Sequence, residues 1–153
     1  MYLTWEDQAI GRGPELGTGK QRDGGPVTIL LAEDSEANIN TVFEYLTIKG
    51  YQVVVARNGA EALERARETR PAVIVMDIQM PGMDGLEATR RFRADADLAK
   101  IPIIAMTALT MPGDRERCLE AGVNEYVGKP VSLKDLVRMI EEQRSKQPEG
   151  ATP

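Results

Sequence analysis

The sequence predicts an α/β fold: one doubly wound, five-stranded parallel sheet with helices on both faces. Two patterns predict it. Short apolar runs without polar alternation recur along the chain, as strands buried on both faces of a parallel sheet require. Between them lie segments with apolar residues at helical spacing, several opened by a capping Ser, Asn or Asp. Five strand-then-helix repeats imply right-handed crossovers and an open sheet, since a closed eight-fold barrel needs about eight such units.

The first strand is the apolar run at residues 27–32. A helix over residues 35–49 follows, with Ile39, Val42, Phe43 and Leu46 on one face, Ser35 as its cap and Gly50 as its stop. Residues 52–56, with three consecutive valines, form the second strand. Asn58 opens the second helix, which buries Ala62, Leu63 and Ala66 and ends before Pro71. Residues 72–76 are the third strand, and Asp84 caps a third helix running to about Ala94. The fourth strand covers residues 101–106, with Pro102 tolerated near its start. Pro112 or Gly113 opens a fourth helix ending at Gly122, and residues 124–127 are a short fifth strand. Ser132 opens the last helix, with Leu133, Leu136, Val137 and Ile140 on one face.

Residues 1–26 and 147–153 read as flexible, Pro- and Gly-bearing tails around a single folded unit at 27–146. Gly17-Thr18-Gly19-Lys20 invites a phosphate-loop reading, but Pro14 stands where the first glycine belongs and Gln21 replaces the required hydroxyl. A chain of 153 residues with 42% apolar and 28% charged residues is an ordinary single globular domain. It has one cysteine, Cys118, and no histidine. The lone cysteine fits a reducing, cytoplasmic compartment. The missing histidine excludes Ser-His-Asp and Cys-His hydrolases and His-ligated zinc. No secretory leader or membrane span is readable, and a net charge of −5 argues against a nucleic-acid surface.

In doubly wound sheets, ligands bind beyond the carboxyl ends of the strands. At those ends the sequence places Glu33 and Asp34, then Asp77, then Thr107, then Lys129. Three carboxylates packed together repel one another, and a hard cation such as Mg2+, which takes a few oxygen ligands plus water or phosphate oxygens, relieves that repulsion. Asp77 follows an apolar strand and is held by it, so it is the candidate nucleophile.

With the loop Met80-Pro81-Gly82-Met83-Asp84-Gly85, the pair Thr107-Ala108 and the run Tyr126-Val127-Gly128-Lys129-Pro130, these residues resemble the response-regulator receiver family of two-component signalling. The resemblance extends from about Val27 to Gln143, and its third strand and loop look most like receiver modules associated with hybrid sensor histidine kinases. It implies a flavodoxin-like sheet with strand order 2-1-3-4-5. It implies that Asp77 accepts a phosphoryl group from a histidine kinase or a histidine phosphotransfer protein. Glu33, Asp34, Asp77 and the backbone carbonyl of Gln79 would hold Mg2+. Lys129 and Thr107 would contact the phosphoryl oxygens, after a cis Lys129-Pro130 bond. Thr107 and Tyr126 would form a switch that alters the surface of the fourth helix, fifth strand and fifth helix. Asn38 would hold local geometry.

The resemblance implies self-catalysed phosphoryl acceptance and slow loss rather than turnover of an external substrate. Output would pass to a downstream protein, with a phosphorylation-dependent homodimer as a further option. Three other readings compete. A haloacid-dehalogenase-like phosphatase needs a second Asp two residues past the nucleophile, where this chain has Gln79. A pseudo-receiver would keep the fold without phosphorylation. A flavodoxin-like cofactor binder is disfavoured by the acidic rim.

Overall fold

The computed structural model describes residues 26–108 and 112–146. Both expected tails, apart from Pro26, and the Gly17-Thr18-Gly19-Lys20 run lie outside the described residues. Five strands alternate with five helices: β1 (Thr28–Ala32), α1 (Glu36–Ile48), β2 (Gln52–Ala56), α2 (Gly59–Thr69), β3 (Val73–Asp77), α3 (Gly85–Ala94), β4 (Ile103–Thr107), α4 (Asp114–Ala121), β5 (Glu125–Gly128) and α5 (Leu133–Ser145). All strand pairs are parallel, in the order β2-β1-β3-β4-β5.

The strands are apolar throughout because each feeds two cores. Leu30, Ala32, Ile74, Met76, Ile103 and Ala105 point to one layer, where they meet Leu63, Ala66, Phe92 and Cys118 from α2, α3 and α4. Their neighbours Ile29, Leu31, Val73, Val75, Ile104 and Met106 point to the other, against Phe43 and Leu46 of α1 and Leu136 and Ile140 of α5. The period of two is that of a pleated strand.

Capping side chains set the helix starts as expected. Ser35, Asn58, Asp84 and Ser132 each accept a backbone N–H three residues on, from Asn38, Glu61, Glu87 and Asp135. At α2 the Glu61 carboxylate also accepts from the Arg57 N–H at 2.7 Å. α4 is the exception: Gly113 stands at its start in a left-handed conformation and supplies no side-chain cap.

Strand boundaries differ from the expectation by one or two residues, and two of the shifts matter. β3 ends on Asp77 rather than Met76, in register with Met106, so the carboxylate belongs to the last rung of the ladder. β4 starts at Ile103 rather than residue 101 because the Ile101 N–H closes a turn onto Leu98 and Pro102 has no N–H to give.

Tyr51, just before β2, ties its layer together. Its hydroxyl donates to Glu141 of α5, which also pairs with Arg144 at 2.8 Å. Burial and the carboxylate both push the phenol pKa above its usual range. Tyr51→Phe removes one hydrogen bond to a charged acceptor that solvent can still reach, so about 1 kcal/mol of stability is expected to be lost. Urea unfolding checks this, and no loss would show that the pair is worth nothing to the fold.

Candidate functional site

The chain runs from β1 outward to β2 on one side and then returns past β1 to β3 on the other, so the strand order reverses between β1 and β3. A crevice at that point, outside the carboxyl ends of the strands, is where this architecture binds ligands. Glu33 and Asp34 leave β1 there, and Asp77 ends β3 beside them. Backbone bonds fix the platform. The Glu33 N–H donates to the Ala56 carbonyl at 2.9 Å, the Ile78 N–H to Met106 at 3.0 Å and the Lys129 N–H to Thr107 at 2.9 Å.

One carboxylate oxygen from each of Glu33, Asp34 and Asp77 can be chosen so that all lie within 4.8 Å of one another. Glu33 is 1% exposed and Asp77 3%, while Asp34 opens to solvent. Lys129 reaches over this group from the end of β5, its Nζ 3.1 Å from Asp77 Oδ2 and 3.3 Å from Glu33 Oε1. The other oxygens are used as well: Asp77 Oδ1 accepts the Gln79 N–H at 3.1 Å, and Glu33 Oε2 the Ser35 N–H at 3.2 Å. The Lys129-Pro130 bond is cis.

Burial, then the charge of Asp77, holds the Glu33 carboxyl above its ordinary value of 4.5; the Ser35 amide and Lys129 oppose this without cancelling it. Burial works against the Lys129 ammonium, but Asp77 and then Glu33 more than offset it, so Lys129 stays charged above its ordinary 10.5. The pocket thus carries more buried negative charge than its lysine neutralises. The sign follows for stability: a carboxyl with a raised folded-state pKa stabilises the fold below its unfolded value and loses that contribution as pH rises through the folded one. Without divalent metal, the stability of the wild type relative to Glu33→Gln is therefore expected to fall as pH rises from 4.5 toward neutrality. Paired urea titrations across that range check it, and a difference that stays flat contradicts the assignment.

The donor set suits a hard divalent cation. It is all oxygen, over-charged, and open to water on the Asp34 side, which fits an ion that keeps several waters. Magnesium at such a site would screen the carboxylates and offer positive charge to an incoming anion.

The structure thus brings Glu33, Asp34, Asp77 and Lys129 together. Thr107 is fully buried on the last rung of β4, in register with Gly128. Tyr126 is half-buried one strand over and packs on the α2–α3–α4 layer. The Gln79 side chain is exposed, and its amide rather than its side chain touches Asp77. Asn38 is exposed and contributes its N–H to the Ser35 cap. Gly85, the last residue of the loop that carries the resemblance, donates its N–H to the Ile78 carbonyl at 2.9 Å. One supporting residue was not foreseen: Gly59 donates its N–H to Met83 at 3.2 Å, so both glycines pin the loop after Asp77. The only trace of Gly59 in the sequence is a glycine where a helix begins.

The chain is similar to known proteins in both sequence and fold. The family model described as the response regulator receiver domain matches residues 29–141. The polar-differentiation response regulator DivK of Brucella anthropi is 41% identical over 115 residues, covering 75% of this chain and 94% of that protein. Among solved structures, the receiver domain of a sensor histidine kinase from Pseudomonas aeruginosa PAO1, with a magnesium ion coordinated in its active-site cleft, superposes with a TM-score of 0.73 at 38% identity, covering 78% of this chain and 98% of that one. The signal receiver domain of a signal transduction histidine kinase from Syntrophus aciditrophicus gives 0.74 at 35% identity, covering 78% and 91%. With a matching model over residues 29–141 and a relative aligned over nearly its full length, the chain belongs to the response regulator receiver domain family of two-component signalling.

Proposed function

We propose that the chain accepts a phosphoryl group on Asp77 from a phosphohistidine of a histidine kinase or phosphotransfer protein. The observation that carries the reading is the Lys129 ammonium bonded to both Glu33 and Asp77, the two buried members of a group of three carboxylates. That arrangement supports the reading, because phosphoryl transfer needs positioning and charge more than acid–base chemistry.

A carboxylate oxygen of Asp77 attacks phosphorus. The phosphorus–oxygen bond of an acyl phosphate forms as the phosphorus–nitrogen bond of the donor breaks, and the leaving imidazole takes up a proton. The Gln79 amide keeps Asp77 oriented through the other oxygen. Lys129 exchanges a carboxylate contact for a phosphoryl oxygen, and Thr107 donates its hydroxyl to another. Glu33, Asp34, Asp77 and the Gln79 carbonyl would hold Mg2+, which supplies the remaining positive charge. Thr107 and half-buried Tyr126 then act as the switch that alters the face of α4, β5 and α5 for a downstream protein or a second copy of the chain. The folded unit runs from 27 to 146, works in the cytoplasm, and carries the phosphoryl group until it is slowly hydrolysed, with no external substrate. No helix among the described residues is long and apolar enough to cross a membrane.

Intact-protein mass spectrometry after incubation with acetyl phosphate tests the reading. A gain of one phosphoryl group with magnesium, lost with chelator, is expected. Magnesium at about 100 times its Kd should also stabilise the fold by about 2.7 kcal/mol, near 10 °C in Tm. No gain under any condition would replace this reading with a pseudo-receiver that works by binding alone.

A further inference from the structure

Glu61 lies in the first turn of α2 and is not a member of the acidic group at the rim of the sheet. Its backbone N–H donates to the Asn58 side chain at 2.8 Å, the ordinary cap of this helix. Its side chain does something that capping does not require. In a capping box the glutamate at this position reaches back to the N–H of the cap residue itself. Here Oε1 accepts the N–H of Arg57, one residue further out, at 2.7 Å. Oε2 lies 3.7 Å from the Arg65 guanidinium in the next turn. The side chain thus ties down a loop residue rather than the helix end.

That loop residue stands at a crossing point. Ala56, just before it, accepts the Glu33 N–H at 2.9 Å. The Arg57 guanidinium pairs at 2.6 Å with Glu36, two residues past Asp34. Gly59, two residues past Arg57, donates its N–H at 3.2 Å to the carbonyl of Met83, in the loop that follows Asp77. Gly59 is buried, and a Cβ there would stand 2.7 Å from that carbonyl oxygen, so the turn and the loop are in direct contact. One side of the turn at 57–59 therefore holds the segment that carries Glu33 and Asp34, and the other side holds the segment that leaves Asp77. The Arg57–Glu36 pair is exposed and hence weak, which leaves the bond from the Arg57 N–H to Glu61 to fix where the turn sits.

We propose that Glu61 is a positioning residue for the Asp77 site: it sets the turn at 57–59 and, through that turn, the spacing between the Glu33–Asp34 segment and the loop after Asp77. The hold on the turn is a property of the metal-free protein, and its consequence for labelling rests on the reading of Asp77 given above. What Glu61 supplies is an acceptor oxygen at the right reach rather than a negative charge. The donor it binds is a neutral amide, and an uncharged oxygen at the same point serves that donor as well. Two substitutions separate reach from charge. Glu61→Gln keeps the reach and an oxygen but loses the charge. Glu61→Asp keeps the charge but loses one methylene of reach.

The test compares the 153-residue wild type with Glu61→Ala, Glu61→Asp, Glu61→Gln and a control, Glu64→Ala, which removes an exposed acid of the same helix. Three quantities are measured on each: exchange of the Gly59 amide without metal, by NMR; the magnesium Kd, from amide shifts at Asp77 and Gln79; and the rate of labelling by acetyl phosphate at saturating magnesium. Glu61→Ala and Glu61→Asp should speed Gly59 exchange about ten-fold. Both should raise the magnesium Kd about ten-fold and slow labelling about ten-fold. Glu61→Gln and Glu64→Ala should stay within about two-fold of the wild type on all three measures. Glu61→Gln as damaging as Glu61→Ala, or Glu61→Asp equal to the wild type, would make charge the operative property and overturn the proposal. So would a Glu61→Ala that melts lower yet keeps wild-type Gly59 exchange and magnesium Kd, the signature of a helix cap and nothing more. If Glu61→Ala does not fold, the contrast between Glu61→Asp and Glu61→Gln decides the matter without it. Failure of the wild type to gain a phosphoryl group would overturn the proposed function instead, and Gly59 exchange, read without metal, would still decide whether Glu61 holds the turn.

Discussion

Asp77→Asn should fold as well as the wild type and gain no phosphoryl group. Asparagine has the shape of aspartate and keeps an oxygen for the Gln79 amide, so the last rung of β3 is preserved. The substitution removes one of three crowded carboxylates and leaves Lys129 its contact with Glu33. The amide is not a nucleophile toward phosphorus, so labelling should drop by more than about a hundred-fold, to the limit of detection. Intact mass after acetyl phosphate and magnesium reads the loss, and a melting curve on the same sample shows that folding is not the cause. A phosphoryl group that survives the substitution would place the acceptor elsewhere and sink the proposed function.

Gly85→Ala should do the greatest damage of any single methyl group near the site. A Cβ on Gly85 would stand 2.5 Å from the Asp77 carbonyl oxygen and 2.8 Å from Ile78 Cα, both backbone atoms that cannot rotate away. Either α3 withdraws from the sheet, breaking the Gly85 N–H bond to Ile78, or the strand end carrying Asp77 shifts. Overpacking of this kind costs about 3 kcal/mol when no flexible side chain can absorb it. A displacement of about 1 Å at the nucleophile costs a further factor of about a hundred in labelling rate. Gly59→Ala is the control. There the Cβ meets the Met83 carbonyl at 2.7 Å and the Met83 side chain at 2.9 Å, in a loop that has more freedom to give. Urea unfolding and labelling rates should therefore rank Gly85→Ala below Gly59→Ala on both measures. The reverse ranking would mean that the loop, not the strand end, is the rigid element.

The difference between these glycines bears on what can be read from sequence. The layers were legible because a strand buried on both faces has no polar positions, and residues 73–76 and 103–106 have none on their inner rungs. Glu33, Asp34, Asp77 and Lys129 were legible because a parallel sheet sends all its carboxyl ends to one rim. No comparable rule finds Arg93 of α3, whose guanidinium donates to the carbonyls of Ala99, Ile101 and Gly122 and to Asn124 Oδ1. It sits among other arginines in Thr89-Arg90-Arg91-Phe92-Arg93, and three of its four acceptors are backbone carbonyls, which every residue possesses. Its partners lie up to 31 positions away and become neighbours only once α3, β4 and α4 are packed. The close approach of Gly85 to Asp77 is hidden for the same reason. A glycine before a helix is common, and only the packed coordinates show what a side chain there would strike.

β5 places neighbouring residues of one short strand in different company. Tyr126 packs on the layer of α2, α3 and α4, and Val127 on the layer of α1 and α5. Because neither is sealed from solvent, a protein that docks along this edge can grip either layer through adjacent side chains. Substitutions that retune one grip leave the other chemically untouched. Altering alternate residues of this single strand therefore changes the exposed fringe of one layer at a time.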